Sequence, residues 1–238
     1  MKYCLFSILL LFSTMILSQN KYQLTGGTEA PLLYGGAIGL GLSFPINKKI
    51  EPLSMDQVYE MDPEKVNAID RVATKTYSAK ARKLSDYFLR LSPIIPLTSL
   101  SNNNSRDEFG VVSTMYLETS LVSFGITELT KVIAKRTRPF VYNKEVDSHK
   151  KLERDSRKSF ISGHTSHVAA STFFTAKALT DLNPDSKYNS VYWATAATIP
   201  ALTAYLRVKG GKHFPTDVLV GYAVGALVGV LVPELHKL

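Results

Sequence analysis

The chain has 238 residues, room for one domain with a sizeable core. Its apolar and aromatic content excludes wholesale disorder, and a single cysteine excludes an internal disulfide. The formal charge is +8 and unevenly spread, with ten Lys or Arg against four Asp or Glu between Lys131 and Lys158. A positive field of that kind attracts nucleic acid, an acidic membrane surface or a phosphorylated small substrate.

Residues 1–18 read as an export signal, with Lys2 ahead of the apolar run Tyr3 to Leu17 and a cut expected at Gln19. An uncleaved anchor helix is the alternative. Cys4 lies inside this segment, so a cleaved chain has no thiol for catalysis or metal binding. Gln19 to Glu29 reads as a polar lead-in. Leu32 to Ile46 carries Gly35, Gly36, Gly39 and Gly41 and is compatible with a membrane span, a packed hairpin or a buried helix.

From Asp56 onward the pattern is helical. Asp62-Pro63-Glu64 offers a capping carboxylate with Pro at the first helical position. Helices are expected over Ala81 to Leu91, Phe109 to Lys135, His164 to Leu182, Tyr192 to Arg207 (kinked at Pro200) and Pro215 to Val232. No convincing strand alternation and no internal repeat occur, so the expected fold is an all-α bundle of five or six main helices with the active site at one end. Three parts are expected: the signal at 1–18, an N-terminal helical part at 19–108, and a core carrying the chemistry at 109–238.

Three short elements in that core could carry chemistry. In Lys131-x6-Arg138-Pro139, seven residues are close to two helical turns, so both cations should project from nearly one face. Pro139 should stop the helix at Arg138 and free its guanidinium to grip an anion. In Ser162-Gly163-His164, Ser162 is a good N-cap, Gly163 admits a ligand close to the backbone, and the first-turn N–H groups make an anion site. His164 then stands where it could protonate a leaving oxygen, while His167 is expected to pack or hydrogen-bond. In Arg207-x5-His213-x3-Asp217, Gly210-Gly211 turns the chain and Pro215 opens the next helix. Asp217 could accept the His213 imidazole N–H and leave the other ring nitrogen free to attack phosphorus. Taken singly, each element also fits ordinary helix-end capping.

Together, in order, they make the chain resemble the type 2 phosphatidic acid phosphatase and vanadium haloperoxidase superfamily, over Lys131 to Asp217. The resemblance implies that Lys131, Arg138 and Arg207 hold the phosphoryl oxygens, with Ser162 and the Gly163 N–H completing the cradle. It implies His213 as nucleophile, oriented by Asp217, and His164 as the proton donor that later activates water. No cofactor and no metal are implied. Ile161 stands where the family usually has proline, and Leu206 where serine is usual; neither removes a functional group.

The expected activity is metal-independent hydrolysis of a phosphate or pyrophosphate ester, a phosphorylated lipid or small phosphoester, through a phosphohistidine. A vanadate-dependent haloperoxidase and a non-enzymatic anion-binding envelope protein are the alternatives. A nucleic-acid partner is disfavoured, because the charge sits in one loop rather than a long stripe. The expected place is the cell envelope, membrane-associated, with the site on the exported side; a soluble periplasmic protein is the alternative. If the Phe109 helix spans, an exported site needs an odd number of earlier spans, for which Leu32 to Ile46 is the candidate. The mixed-charge run Asp147 to Lys158 is expected as a solvated face, and His149 and His236 as surface histidines. Glu118 and Glu128 are expected to pair with polar groups inside the bundle.

Overall fold

The computed structural model describes residues 21–101 and 108–238, so the expected signal lies outside the described residues. Six long helices make the body: α1 (Glu29–Lys48), α2 (Ala79–Leu91), α3 (Phe109–Ala134), α4 (Gly163–Leu182), α5 (Asn189–Lys209) and α6 (Pro215–Leu235). Among the described residues there is no sheet, only an isolated antiparallel bridge between Tyr22 and Lys237. The segment 32–46 is thus helical, as part of α1. The Asp62-Pro63 signal starts a three-residue 3-10 turn rather than a longer helix, because Val66 is already extended.

Helix α4 is the axis. It packs most extensively on α6, then on α5, α3 and the 3-10 segment Ser92–Ser101, while α1 lies along α3. Nearly all of α4 is buried, as expected for a helix of small and apolar residues on every side. Small residues also set the helix separations. Gly221, Gly225 and Gly229 lie along one face of α6, and a Cβ at these positions would overlap the carbonyl oxygens of Ser162, Ser166 and Ala170 on α4. Gly36 and Gly125 meet backbone to backbone between α1 and α3 in the same way.

Apolar side chains cover the outside of several helices as well as filling the core, and polar ones are buried among them. The face that α3 buries carries Glu118, Thr119, Ser123 and Thr127, whereas Leu117, Phe124, Ile126 and Ile133 are exposed. Exposed Leu219, Leu227, Leu231 and Leu235 continue this apolar surface on α6, and Tyr34, Ile38 and Leu42 on α1. Both α3 and α6 are long and apolar enough to cross a membrane.

The end of the bundle away from α4's N-terminus is tied by buried polar contacts. Glu108 accepts from the backbone N–H of Lys21 (2.6 Å) and Tyr22 (3.2 Å), and the Tyr22 hydroxyl donates to Asp181 at 2.9 Å. His236, expected on the surface, is buried: its Nε2 lies 3.1 Å from Glu118 and 3.2 Å from Glu29, and its Nδ1 donates to the Val232 carbonyl. Glu118 thus lies within ion-pair distance of His236 inside the bundle, although its oxygens make no hydrogen bond among the described residues, and Glu128 pairs with Lys131. A side chain near a helix C-terminus had looked solvated because its partners come from α1 and α3, distant in sequence.

The glycine ladder predicts a sharp contrast between two substitutions. Gly225→Leu should lower the thermal midpoint in detergent by an amount corresponding to about 3 kcal/mol or more, since α6 must move off α4. Gly41→Ala, at a helical position with open space around it, should be neutral or stabilising by up to about 1 kcal/mol.

Candidate active site

The first cationic element is built differently from its spacing. Helix α3 ends at Ala134, and Lys135 takes a left-handed φ of 46° with its N–H still bonded to the Lys131 carbonyl. Arg138 is therefore extended (φ −75°, ψ 151°) and reaches the site through a loop, not from the Lys131 face of a continuous helix. Its guanidinium is almost fully buried and heavily bonded. Nε donates to the Asp155 carbonyl (2.8 Å), Nη2 to Asp155 Oδ1 (2.9 Å), and Nη1 to the Lys212 carbonyl (2.8 Å). Nη1 also lies 3.2 Å from His213 Nε2.

The second element folds as its residues suggest. Ser162 caps α4, its hydroxyl accepting from the Thr165 N–H. Lys131 Nζ lies 2.6 Å from where a Gly163 Cβ would be, so glycine lets the ammonium approach the first turn of α4 without displacement. His164 opens into the site, its Nε2 2.8 Å from Asp86 of α2. His167 is buried and bonds the Ser123 hydroxyl at 2.9 Å, a packing histidine.

The third element gives the decisive geometry. His213 Nδ1 lies 2.7 Å from the Ser159 carbonyl, which can only accept, so the ring proton sits on Nδ1 and Nε2 carries a lone pair. Asp217, expected to accept that proton, is 3.7 Å away. Its carboxylate is engaged elsewhere, accepting from the Ser159 hydroxyl (2.5 Å), the Phe214 N–H (2.9 Å) and Arg136. It thus holds Ser159, and Ser159 orients the histidine. Burial, then the charges of Arg138, Arg207 and Lys131, push the His213 imidazole well below its usual range, keeping it neutral.

These residues line a cavity of about 550 Å³, which contains Lys131, Arg138, His164, Arg207 and His213. Ser162 and Gly163 stand beside it, and Asp217 behind. Sequence reasoning missed the remaining walls. Asp86, Arg82 and Lys83 come from α2, while Asp155 and Lys158 come from the run expected as a solvated face. Burial opposes charge on Asp155, but Arg138 and Lys212 outweigh it and hold its carboxyl far below the usual range. The same burial and the Arg138 charge lower the Lys212 ammonium. Arg207 is nearly fully buried; its Nη1 donates to Ser85 and Asp86, and its Nε is buried without a partner among the described residues.

The superfamily described as PAP2 matches residues 113–237, more than half of the chain. The chain belongs to the PAP2 superfamily. Over 83 residues it is 34% identical to the lipid A 4'-phosphatase of Porphyromonas gingivalis, a stretch covering 35% of this chain. That stretch spans 32% of the relative's own length. Among solved structures it is similar to the first transmembrane PAP2 type phosphatidylglycerolphosphate phosphatase from Bacillus subtilis. There the identity is 22%, the coverage 87% of this chain and 95% of that one, and the TM-score 0.48.

A second missed group braces this PAP2 site from below. Asp70 is fully buried and accepts from the Thr216 N–H (2.9 Å) and hydroxyl (2.7 Å), from Asn67 (2.8 Å) and from Arg136 (2.6 Å). Arg136 bridges it to Asp217 and lies over the Phe214 ring at 4.2 Å. Burial alone would raise the Asp70 pKa, but these hydrogen bonds win and lower it. A lowered folded-state pKa means stability that is present above the unfolded carboxyl value of about 4 and is lost as pH falls through the folded value. Asp70→Asn should therefore cost about 2 kcal/mol at neutral pH. The difference from wild type should shrink progressively in thermal melts below about pH 4.

Proposed function

We propose that this protein is a phosphatase acting on a phosphate or pyrophosphate ester of a lipid, through a phosphohistidine on His213. The observation that carries the reading is the His213 ring. Its Nδ1–H is held by the Ser159 carbonyl, so its Nε2 lone pair faces Arg138 in a cavity walled by cations. On substrate binding, Arg138 would turn its N–H to a phosphoryl oxygen. Lys131, the spare Nε–H of Arg207 and the N–H groups at the start of α4 would take up the other oxygens.

Nε2 then attacks phosphorus and the bond to the ester oxygen breaks, with His164 giving its proton to the departing oxygen. In the second half, His164 takes a proton from water, whose oxygen attacks phosphorus. The P–N bond breaks, inorganic phosphate leaves, and His213 regains its neutral form with the proton on Nδ1. Charge stabilisation and positioning dominate such transfers, and the side-chain cations here supply both, which supports hydrolysis without a divalent ion. Activity on a panel of lipid phosphates and an aryl phosphate should persist in EDTA and fall about a thousandfold or more in His213→Ala. Full activity in that variant would exclude His213 as nucleophile, and bromide oxidation dependent on vanadate would assign the pocket to the other chemistry.

The apolar outer surface of α1, α3 and α6 supports a membrane-embedded bundle in the cell envelope, with a lipid substrate meeting the site at the helix ends. The division into an N-terminal helical part and a core from residue 109 fits this, with α1 serving as a flanking helix against α3. The passage Ala79–Ser101 returns the chain from the site end to the end where Glu108 meets Tyr22. Tyr22 and the site therefore lie at opposite ends. In a bundle that crosses the bilayer, a site on the exported side requires Tyr22 on the cytoplasmic side, whereas a signal cut at Gln19 would leave Tyr22 outside. The described passages before α3 are two, α1 and Ala79–Ser101, against the odd number expected for an exported site. Single cysteines at Thr25 and Lys150, in a Cys4→Ser background, should label from opposite faces of intact cells, with Lys150→Cys on the exported face. Labelling of Thr25→Cys from outside instead would place the site in the cytoplasm, beside its basic loop as the positive-inside rule prefers.

A further inference from the structure

Asp86 belongs to α2, ahead of the residues matched by the PAP2 superfamily, yet it reaches the centre of the site. One carboxylate oxygen is shared between His164 Nε2 at 2.8 Å and Arg207 Nη1 at 3.2 Å. We infer that Asp86 is a positioning residue that fixes His164 and Arg207 relative to each other and helps His164 hold the proton destined for the leaving oxygen. This rests on the hydrolytic reading above.

Two physical points carry it. An ionised carboxylate only accepts hydrogen bonds, so the Nε2–H of His164 is committed to Asp86 and the proton delivered to the leaving oxygen is the one on Nδ1. That second proton makes an imidazolium, and burial first, then the surrounding cations, oppose it. His164 faces Lys131 of α3, Arg138 of the following loop, Arg207 of α5, and Lys212 and His213 of the α5–α6 turn, with His167 on its own helix. The anion in direct contact with the ring is Asp86. Its negative charge acts against that field where the proton is held, although burial and the cations still keep the ring well below its usual range, and its geometry keeps His164 beside Arg207.

A purely structural role fits poorly. The Asp86 side chain is 45% exposed, and Arg207 has a second anchor in the Ser85 hydroxyl at 3.1 Å. Replacing an exposed carboxylate costs little folding stability. Asp86 also brings negative charge into an anion pocket, so as a simple binding element it would work against the substrate.

The test compares wild type, Asp86→Asn and Asp86→Glu in detergent with EDTA, reading kcat and KM against pH, thermal midpoint, and the His164 ring titration by NMR. Asp86→Asn should lower kcat about tenfold or more and leave KM unchanged or lower. The alkaline limb should move about one pH unit toward acid, a tenfold change in proton affinity, with Asp86→Glu recovering most of the loss. The NMR midpoint of His164 should fall in parallel, a readout that needs no turnover. A variant with wild-type kcat and an unmoved limb would overturn the inference. So would losses that track a lowered thermal midpoint or a raised KM while the His164 titration stays put. An inactive wild type whose His164 still shifts in Asp86→Asn would instead refute the hydrolytic reading and leave the Asp86–His164 coupling standing.

Discussion

Asp217 is a fully buried carboxylate in the first turn of α6, and its oxygens close four segments around His213. Its side chain takes the Ser159 hydroxyl, the Phe214 N–H and Arg136, while its backbone carbonyl takes the Ser162 N–H at 3.0 Å. The loop before α4, the N-cap of α4, the turn carrying His213 and the loop after α3 are thereby held in one register. A buried charge is tolerated only when it is paired and its lone pairs are used. Here that demand fixes the site: Arg136 supplies the opposite charge, and Asp70 holds Arg136 from the other side. The tautomer of His213 is a downstream consequence: the Ser159 hydroxyl on Asp217 and the Ser159 N–H on the Arg136 carbonyl (2.9 Å) together hold the Ser159 carbonyl against Nδ1.

Such a knot requires α6 to lie close against α4, which the glycine ladder permits. A large side chain at Gly221 would drive the Ser162 carbonyl away and separate the Ser162 N–H from Asp217. Packing and chemistry thus share residues. The same small-residue strategy serves a bundle whose outside is apolar: with little hydrophobic drive between helices in lipid, close backbone approach and buried hydroxyl or carboxylate contacts must hold them together. Ser123, Thr127, Tyr116 and Ser171, which meet across α3 and α4 or bond within them, are contacts of this kind.

The helices and the three motifs were legible because their signals are local. Asn183-Pro184 closes α4 at Leu182, and Pro215 opens α6, where the sequence placed them. Ser162 caps α4 and Gly163 admits Lys131 for the reasons their residue types suggest. What could not be read is what depends on tertiary closure. Asp70 and Asp86 look like ordinary charges of short or amphipathic helices, and only the fold brings them to Thr216 and His164, about 146 and 78 residues away. Arg136 lies in a run of basic residues in which no spacing rule singles it out. Asp217 at four residues from His213 suggested a direct bond, but the turn at Phe214 sets the carboxylate behind the ring, and a backbone carbonyl, invisible to any motif, takes its place.

The electrostatics of the cavity explain why so many carboxylates line an anion site. Lys131, Arg138, Lys212 and Arg207 crowd one small volume and repel one another, and burial deprives them of water. Glu128 beside Lys131, Asp155 beside Arg138 and Lys212, and Asp86 beside Arg207 each neutralise a local excess and hold their cation at a defined angle. Arg82, Lys83 and Lys158 remain without a carboxylate partner among the described residues that line the cavity, so the net field stays positive. The cations are thus already oriented by fixed anions, a preorganised positive site that needs little rearrangement to take up an anion. The counter-charges belong to the pocket as much as the cations do: each carboxylate lets its cation stay charged beside the cavity while helping to hold it in place.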